Sequence, residues 1–422
     1  MTASVSVIRR RHVFYVAGYD PRGAAGYYDL FRRSWKRCRG VWHFAGTLGE
    51  LELDSDLIAH WDIEAAGPNW RVATRYEFLR LEAIIGANMA QPLWRQVPRA
   101  IAWAANDLVT GTTARIYRAS WRFCLHLLYF QLLLWLWLAL ALAAGWLAGL
   151  AAARFGGLPA GAALAVGGGS GIACFWLLRP LADRWQVLQI NSCWPYLRRL
   201  ARGLPTAFDA PIDSYAARIV DAARANQADE IVVVGHSAGG ITSLAVAARA
   251  LELDPNLGRH GSRVVLLTLG SVMPAAALDP AAGRLRDMVR RIAAEPSLTW
   301  IDCRSKKDHL NFWQIDPVED VGVKLAARHN PLIWSVSIKE MLSPKSYARL
   351  KWSPFRRHYQ FIMSGDQRAH YDYLMLVAGP AALAQWASHP GQMAEAFGPD
   401  GAFTGEAGAG TMAADALAQD RI

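Results

Sequence analysis

Apolar positions along the chain fall into three patterns. The first is a set of short runs rich in β-branched and aromatic residues: Val13 to Ala17, Glu230 to Val234, Val264 to Leu269, Ser297 to Cys303 and Leu332 to Ile338. Runs of this length bounded by turn residues predict buried strands. Weaker strand-like pieces lie over 51–63 and 74–84. The second pattern has helical spacing. It covers Tyr27 to Arg37, Ala182 to Arg202 and Arg284 to Ala294. It also covers a segment opening at Pro211-Ile212-Asp213, with Tyr215, Ile219, Val220 and Ala223 on one face. Strands alternating with helices predict an α/β fold with a mainly parallel sheet flanked by helices.

The third pattern is different in kind. Leu125 to Leu147 is interrupted only by His126 and Gln131, and Leu158 to Leu178 carries no charge. About twenty such residues span a bilayer. The short connection through Arg154 predicts an inserted two-helix transmembrane hairpin. Gly145/Gly149, Gly157/Gly161 and Gly167/Gly171 are small residues four apart, a spacing that lets helices approach closely. Trp121, Trp135, Trp137, Trp176 and Trp185 sit toward the edges, where amphipathic rings are favoured. Gly167-Gly168-Gly169-Ser170-Gly171 lacks the lysine of a phosphate-binding loop and reads as packing.

Composition agrees with the hairpin. The 422 residues are 53% hydrophobic and only 19% charged, with net charge +10 and pI about 9.5. A basic surface suits anionic lipid or nucleic acid. The arginines are scattered, in Arg-rich pieces such as Arg32 to Arg37, and form no nucleic-acid module. The membrane bilayer is therefore the expected partner. Arg115, Arg118 and Arg122 precede the hairpin and Arg179, Arg184, Arg198 and Arg199 follow it. Excess positive charge marks the cytoplasmic side, so both termini are expected in the cytoplasm of an inner (plasma) membrane protein. The five cysteines have no paired spacing, which fits reduced thiols. Asp54, Asp56, Asp62 and Glu64 form no coherent ligand set; no metal or other cofactor is expected. The chain divides into an N-terminal part of the α/β domain (1–120), the hairpin (121–180), a C-terminal part (181–396) and a disordered Gly/Ala-rich tail (397–422).

The chemistry centres on Gly235-His236-Ser237-Ala238-Gly239, between a strand and a helical pattern. A nucleophilic serine must stand on a strained turn for its hydroxyl to clear the backbone. Side chains two residues before and after would collide there, hence the two glycines. The helix beyond aims N–H groups at the same point. Near the start, Gly18-Tyr19-Asp20-Pro21-Arg22-Gly23 is another strand-to-helix turn. The N–H groups of Ala238 and Tyr19 are the candidate oxyanion donors.

These residues resemble the α/β-hydrolase superfamily, in its lipase- and esterase-like members. The resemblance covers residues 213–379 and, more loosely, the first strand. It implies a serine nucleophile followed in chain order by an acid and a histidine. It departs from the usual pattern in placing a membrane hairpin before the elbow. Sites in open α/β sheets lie beyond the carboxyl ends of strands, so Asp308 is favoured as the acid over Asp302, with Asp316 and Asp320 as outside choices. His309 adjoins that acid and His329 lies at the wrong strand end. His358 is favoured as the base, with His370 as the alternative. The resemblance thus implies Ser237, His358 and Asp308 acting on acyl esters; the expected membrane location and the basic charge add membrane lipids to the expected substrates. An acyltransferase with the same residues, or a non-catalytic membrane scaffold, are the rival readings.

Overall fold

The computed structural model describes residues 7–405 apart from 351, 390 and 391. Its strands are β1 (Arg10–Val16), β2 (Ala45–Leu48), β3 (Glu52–Leu53), β4 (Ile58–Ala66), β5 (Arg71–Leu79), β6 (Glu230–His236), β7 (Arg263–Leu269), β8 (Leu298–Arg304) and β9 (Leu332–Ser335). They form one sheet in the order β2-β4-β5-β1-β6-β7-β8-β9, with β3 paired to β4. Every neighbouring pair from β5 to β9 is parallel, whereas β4 runs antiparallel to β2, β3 and β5. The sheet is therefore mixed, where the sequence pattern predicts a mainly parallel one. The reason lies in the connections: β2 to β5 are joined by short turns, which only antiparallel strands can use, while parallel neighbours need a crossover.

Strand β6 is buried along its whole length, and its period-2 geometry explains the unbroken apolar run. Ile231 and Val233 pack into one core cluster and Val232 and Val234 into another, on opposite faces of the sheet. Phe14 and Val16 of β1 and Val264 and Leu266 of β7 join the first cluster. Val13, Tyr15, Val265 and Leu267 join the second. At the start of β6, Glu230 is fully buried and pairs with Arg11 at 2.8 Å. Arg11 also donates to the carbonyls of Gly379 and Ala381, and Glu230 accepts from the Leu383 N–H. A buried pair is tolerable only with its remaining lone pairs and protons satisfied in this way.

The helices up to the first core crossover are α1 (Gly23–Trp42), α2 (Glu82–Met89), α3 (Leu93–Val109), α4 (Thr112–Ala119), α5 (Trp121–Arg154), α6 (Ala160–Arg184), α7 (Val187–Arg202), α8 (Asp209–Ala225) and α9 (Gly239–Leu253). α1 covers one face of the sheet, while α8 and α9 cover the other. α5 and α6 pair along their length. Both are long and apolar enough to cross a membrane: at 1.5 Å per residue they run about 50 and 37 Å, against roughly 30 Å of bilayer hydrocarbon. Most of each helix's most apolar window lies outside the protein interior.

Their contact is made by backbone. A Cβ on Gly145 would lie 2.8 Å from the Gly167 carbonyl oxygen, and one on Gly167 equally close to that of Gly145; Gly149 and Gly171 face Ala163 and Ala141 in the same way. Gly157 and Gly161 do not share this role. Gly157 is in the turn, with φ +61°, and a Cβ on Gly161 would meet nothing. Trp137 stacks on Phe175 across the pair, ring centroids 4.4 Å apart.

Two divisions drawn from sequence move. Residues 93–119 do not join the sheet; as α3 and α4 they form, with α7, a helical layer at the base of the hairpin. Gln131 of α5 donates to Asn191 of α7 at 2.5 Å, so this polar residue bonds helix to helix. Arg198 of α7, 1% exposed, pairs with Asp107 of α3 at 3.0 Å and with Asp279 of the α/β body at 3.3 Å. The chain is also ordered beyond 397: Phe397 and Phe403 are buried in the core, because apolar rings in a Gly-rich segment still find the hydrophobic surface left by Trp42, Trp70 and Trp386. Of the tail expected to be disordered, 406–422 lies outside the described residues.

Candidate active site

Strand β6 ends directly in Ser237, which sits at φ +58°. That left-handed conformation costs an L-residue roughly 1–2 kcal/mol, so the surroundings must enforce it. The Ser237 N–H donates to the Leu269 carbonyl at 2.9 Å, and its own carbonyl accepts from Gly240 at 3.1 Å and Val272 at 3.3 Å. The flanking glycines are needed for space. A Cβ on Gly235 would overlap Ser243, and one on Gly239 would overlap the Val16 and Ala17 carbonyls of the first strand. Ser237 is half-buried and lines a cavity of about 270 Å³.

His358 lines the same cavity. It ends a short helix, Pro354–His358, and its Nδ1 lies 2.6 Å from Asp308 Oδ2. Asp308 follows β8 in the loop past its carboxyl end. Its Oδ1 accepts from the Leu310 N–H at 3.0 Å, and its Oδ2 accepts from Asn311 Nδ2 at 2.9 Å. Complete burial works to raise the carboxyl's pKa, but the charge of His358 and these hydrogen bonds outweigh it and hold the group below the usual carboxylate range. Asp308 is therefore ionised and oriented toward Nδ1. The other imidazole nitrogen, Nε2, is buried and has no protein partner among the described residues. No hydrogen bond joins it to Ser237 here; such bonds commonly tighten only with substrate bound.

The alternatives sit elsewhere. Asp302, inside β8, accepts from Thr268 Oγ1 at 2.6 Å, and burial raises its pKa. Asp316 accepts from the N–H groups of Val318 and Glu319 and pairs with Arg328, and Asp320 caps the Asp316 N–H. His370 is not among the residues lining the serine's cavity.

The loop after β1 lies against the elbow. A Cβ on Gly18 would stand 3.4 Å from Ser237 Cβ and 3.8 Å from the Ala238 nitrogen. Tyr19 and Ala238 both line the cavity, and among the described residues no protein acceptor takes either N–H. The Tyr19 hydroxyl bonds to Asn88 of α2. Asp20 accepts from Tyr359, the neighbour of His358, and Arg22 lies over that ring at 4.9 Å. The loop and the histidine segment are thus fastened to each other. Among the described residues no cluster of metal-ligating side chains occurs.

Four further residues take part in the site. Gly270, at φ +54°, leaves room for His358: a Cβ there would come within 2.8 Å of its Cε1. Asn311 holds Asp308. His126, near the start of α5, lines the cavity with its ring 5.6 Å from Phe355. His236, the residue before the serine, has Nε2 3.3 Å from the His358 carbonyl oxygen, and the two rings are 4.7 Å apart. The motif spacing itself points to His236; the other three depend on tertiary contacts.

Burial, reinforced by the nearby His358, lowers the His236 pKa to about 3. In the unfolded chain the imidazole protonates near 6.5, so the unfolded state binds the extra proton between those values. Stability is therefore unaffected by this group above about pH 6.5 and is lost as pH falls toward 3. Between pH 6 and 4.5 the unfolding free energy of wild type in detergent is expected to fall more steeply than that of His236→Phe, by up to about 1.4 kcal/mol per pH unit. Equal slopes in denaturant titrations at several pH values would show that His236 is not buried neutral.

Comparison with protein-family models, curated proteins and solved structures returns no match for this chain.

Proposed function

We propose that this chain is a serine hydrolase of the α/β-hydrolase type that cleaves acyl esters and is anchored in a membrane by the α5–α6 pair. The observation that carries the reading is the 2.6 Å bond that Asp308 Oδ2 accepts from His358, whose ring lines the cavity that also holds a strained, glycine-flanked serine. Chain order supports it as well: serine, acid and histidine follow one another as the superfamily resemblance implies. Exposed leucines along α5 and α6, such as Leu142 and Leu177, support the membrane anchor, since large apolar surfaces are rarely left to water.

In this mechanism His358 Nε2 takes the proton from the Ser237 hydroxyl as Oγ bonds to the ester carbonyl carbon. Charge collects on the carbonyl oxygen, within reach of the N–H groups of Ala238 and Tyr19. Asp308 fixes the tautomer that leaves Nε2 free and stabilises the imidazolium. The C–O bond to the alcohol breaks, and the alcohol leaves with the proton from His358. Water then attacks the acyl-serine, gives His358 a proton, and the acid departs as Ser237 recovers its hydrogen.

Kinetics on p-nitrophenyl butyrate with the detergent-solubilised full chain check these roles. Ser237→Ala, His358→Ala and Asp308→Asn are expected to lower kcat/KM by about 10⁴-fold or more, and His370→Ala to retain the wild-type value. Retained activity in Asp308→Asn, or its loss in His370→Ala, would transfer the roles to other residues.

The flanking arginines support a topology with both ends of the α5–α6 pair at one membrane surface, the cytoplasmic one. A compartment-sensitive reporter inserted after Arg154 should then report the outer side, and one fused after Ile422 the cytoplasm. The opposite pattern would invert the orientation, and two cytoplasmic readings would exclude a spanning hairpin.

A further inference from the structure

The serine's cavity is not built by the α/β body alone. Its far wall is formed by Phe123, His126 and Leu127 of α5 and by Ile190, Cys193 and Trp194 of α7. Behind that wall lies a second cavity of about 210 Å³, between α3, α5 and α7. Leu127, Ile190 and Trp194 line both cavities, so the two volumes adjoin at these three half-buried side chains. The second cavity is walled chiefly by apolar groups, including Ala104, Ile116, Cys124 and Leu128. Its carboxylate, Asp107, is paired with Arg198. Its outer edge carries Leu108 and Leu132, each 66% exposed, on the apolar face that α3 and α5 present outward. Together the two volumes reach the range of about 300–1,000 Å³ typical of sites for extended ligands.

We propose that the second cavity receives the distal part of a long acyl chain whose ester carbonyl sits at Ser237, the chain passing Leu127, Ile190 and Trp194. The substrate class is then long-chain acyl esters rather than short soluble ones. The inference rests on the serine-hydrolase reading and adds the direction in which the acyl chain runs. The lining gives the reason for a chain and not a polar group: beyond His126 the path offers mainly methyl, methylene and ring surfaces, which an alkyl chain can dry. Gln131 and Asn191 at the second cavity bond to each other, and Thr113 is the remaining polar side chain besides the paired Asp107. Each methylene removed from water favours binding by about fourfold.

The test compares hydrolysis of p-nitrophenyl butyrate and p-nitrophenyl myristate by the full chain in detergent, for wild type and for Ala104→Trp and Leu128→Trp. Both substitutions place an indole in the second cavity, and neither residue lines the cavity of Ser237. Excluding even two methylenes corresponds to about fifteenfold, so the myristate-to-butyrate ratio of kcat/KM is expected to fall by at least that factor in each variant. Labelling by a fluorophosphonate confirms that a variant retains its folded site, and a variant that fails to label is set aside in favour of the other. An unchanged ratio in a labelled variant would overturn the passage while leaving the hydrolase reading intact. A wild type that neither labels nor cleaves either ester would overturn both.

Discussion

Everything at the site depends on one residue held in a conformation it would not choose. Ser237 occupies left-handed space at the end of the most deeply buried strand, and the cost is met by the packing around it. Gly239 lets the elbow press against the Val16 and Ala17 carbonyls, so β1 and the turn after β6 form one tightly fitted unit. The same fit brings Gly18 against Ser237 and sets the Tyr19 loop over the cavity. A strained serine, two loops and a helix start are therefore fixed by a single backbone contact. The interior of the sheet, with its apolar residues alternating between two cores, is what makes that contact rigid.

The helical layer adds the second constraint. Arg198 bridges Asp107 of α3 and Asp279 of the body, and Gln131 joins α5 to α7 through Asn191. These buried polar contacts tie α7 to α3, to the α/β body and to α5. Because α5 and α7 also wall the serine's cavity, the element suited to a membrane and the element suited to chemistry share side chains. His126 and Trp194 stand at that junction. An anchor joined to the body by a flexible linker would have left the cavity open on this side.

Much of this was readable from the chain because the signals are local. Val232 to Val234, two glycines and a serine between them specify a strand, a turn and its strain, and the uncharged runs specify the paired helices. The choice of Asp308 and His358 rested on strand ends, which are also local. What escaped was long-range. Nothing near Gly270 announces that its missing Cβ makes room for a ring 88 residues later in the chain. α3 and α4 read as part of the sheet domain, whereas α3 packs on α7, far downstream, and α4 on α5; a helical period cannot say against what it packs. The antiparallel edge of the sheet was missed for a related reason: short strands with mixed polarity show alternation but not direction. The Gly157/Gly161 pair is a different case, since spacing alone does not distinguish a helix contact from the turn that precedes it.

The central claim is that Ser237 is a nucleophile activated by His358. The most direct measurement is peptide mass spectrometry of the full chain after reaction with a fluorophosphonate, in wild type and in His358→Ala. The account predicts a single adduct on the peptide containing Ser237 in wild type, and its loss in the variant. An adduct on another residue, or one on Ser237 that forms equally fast without His358, would contradict it.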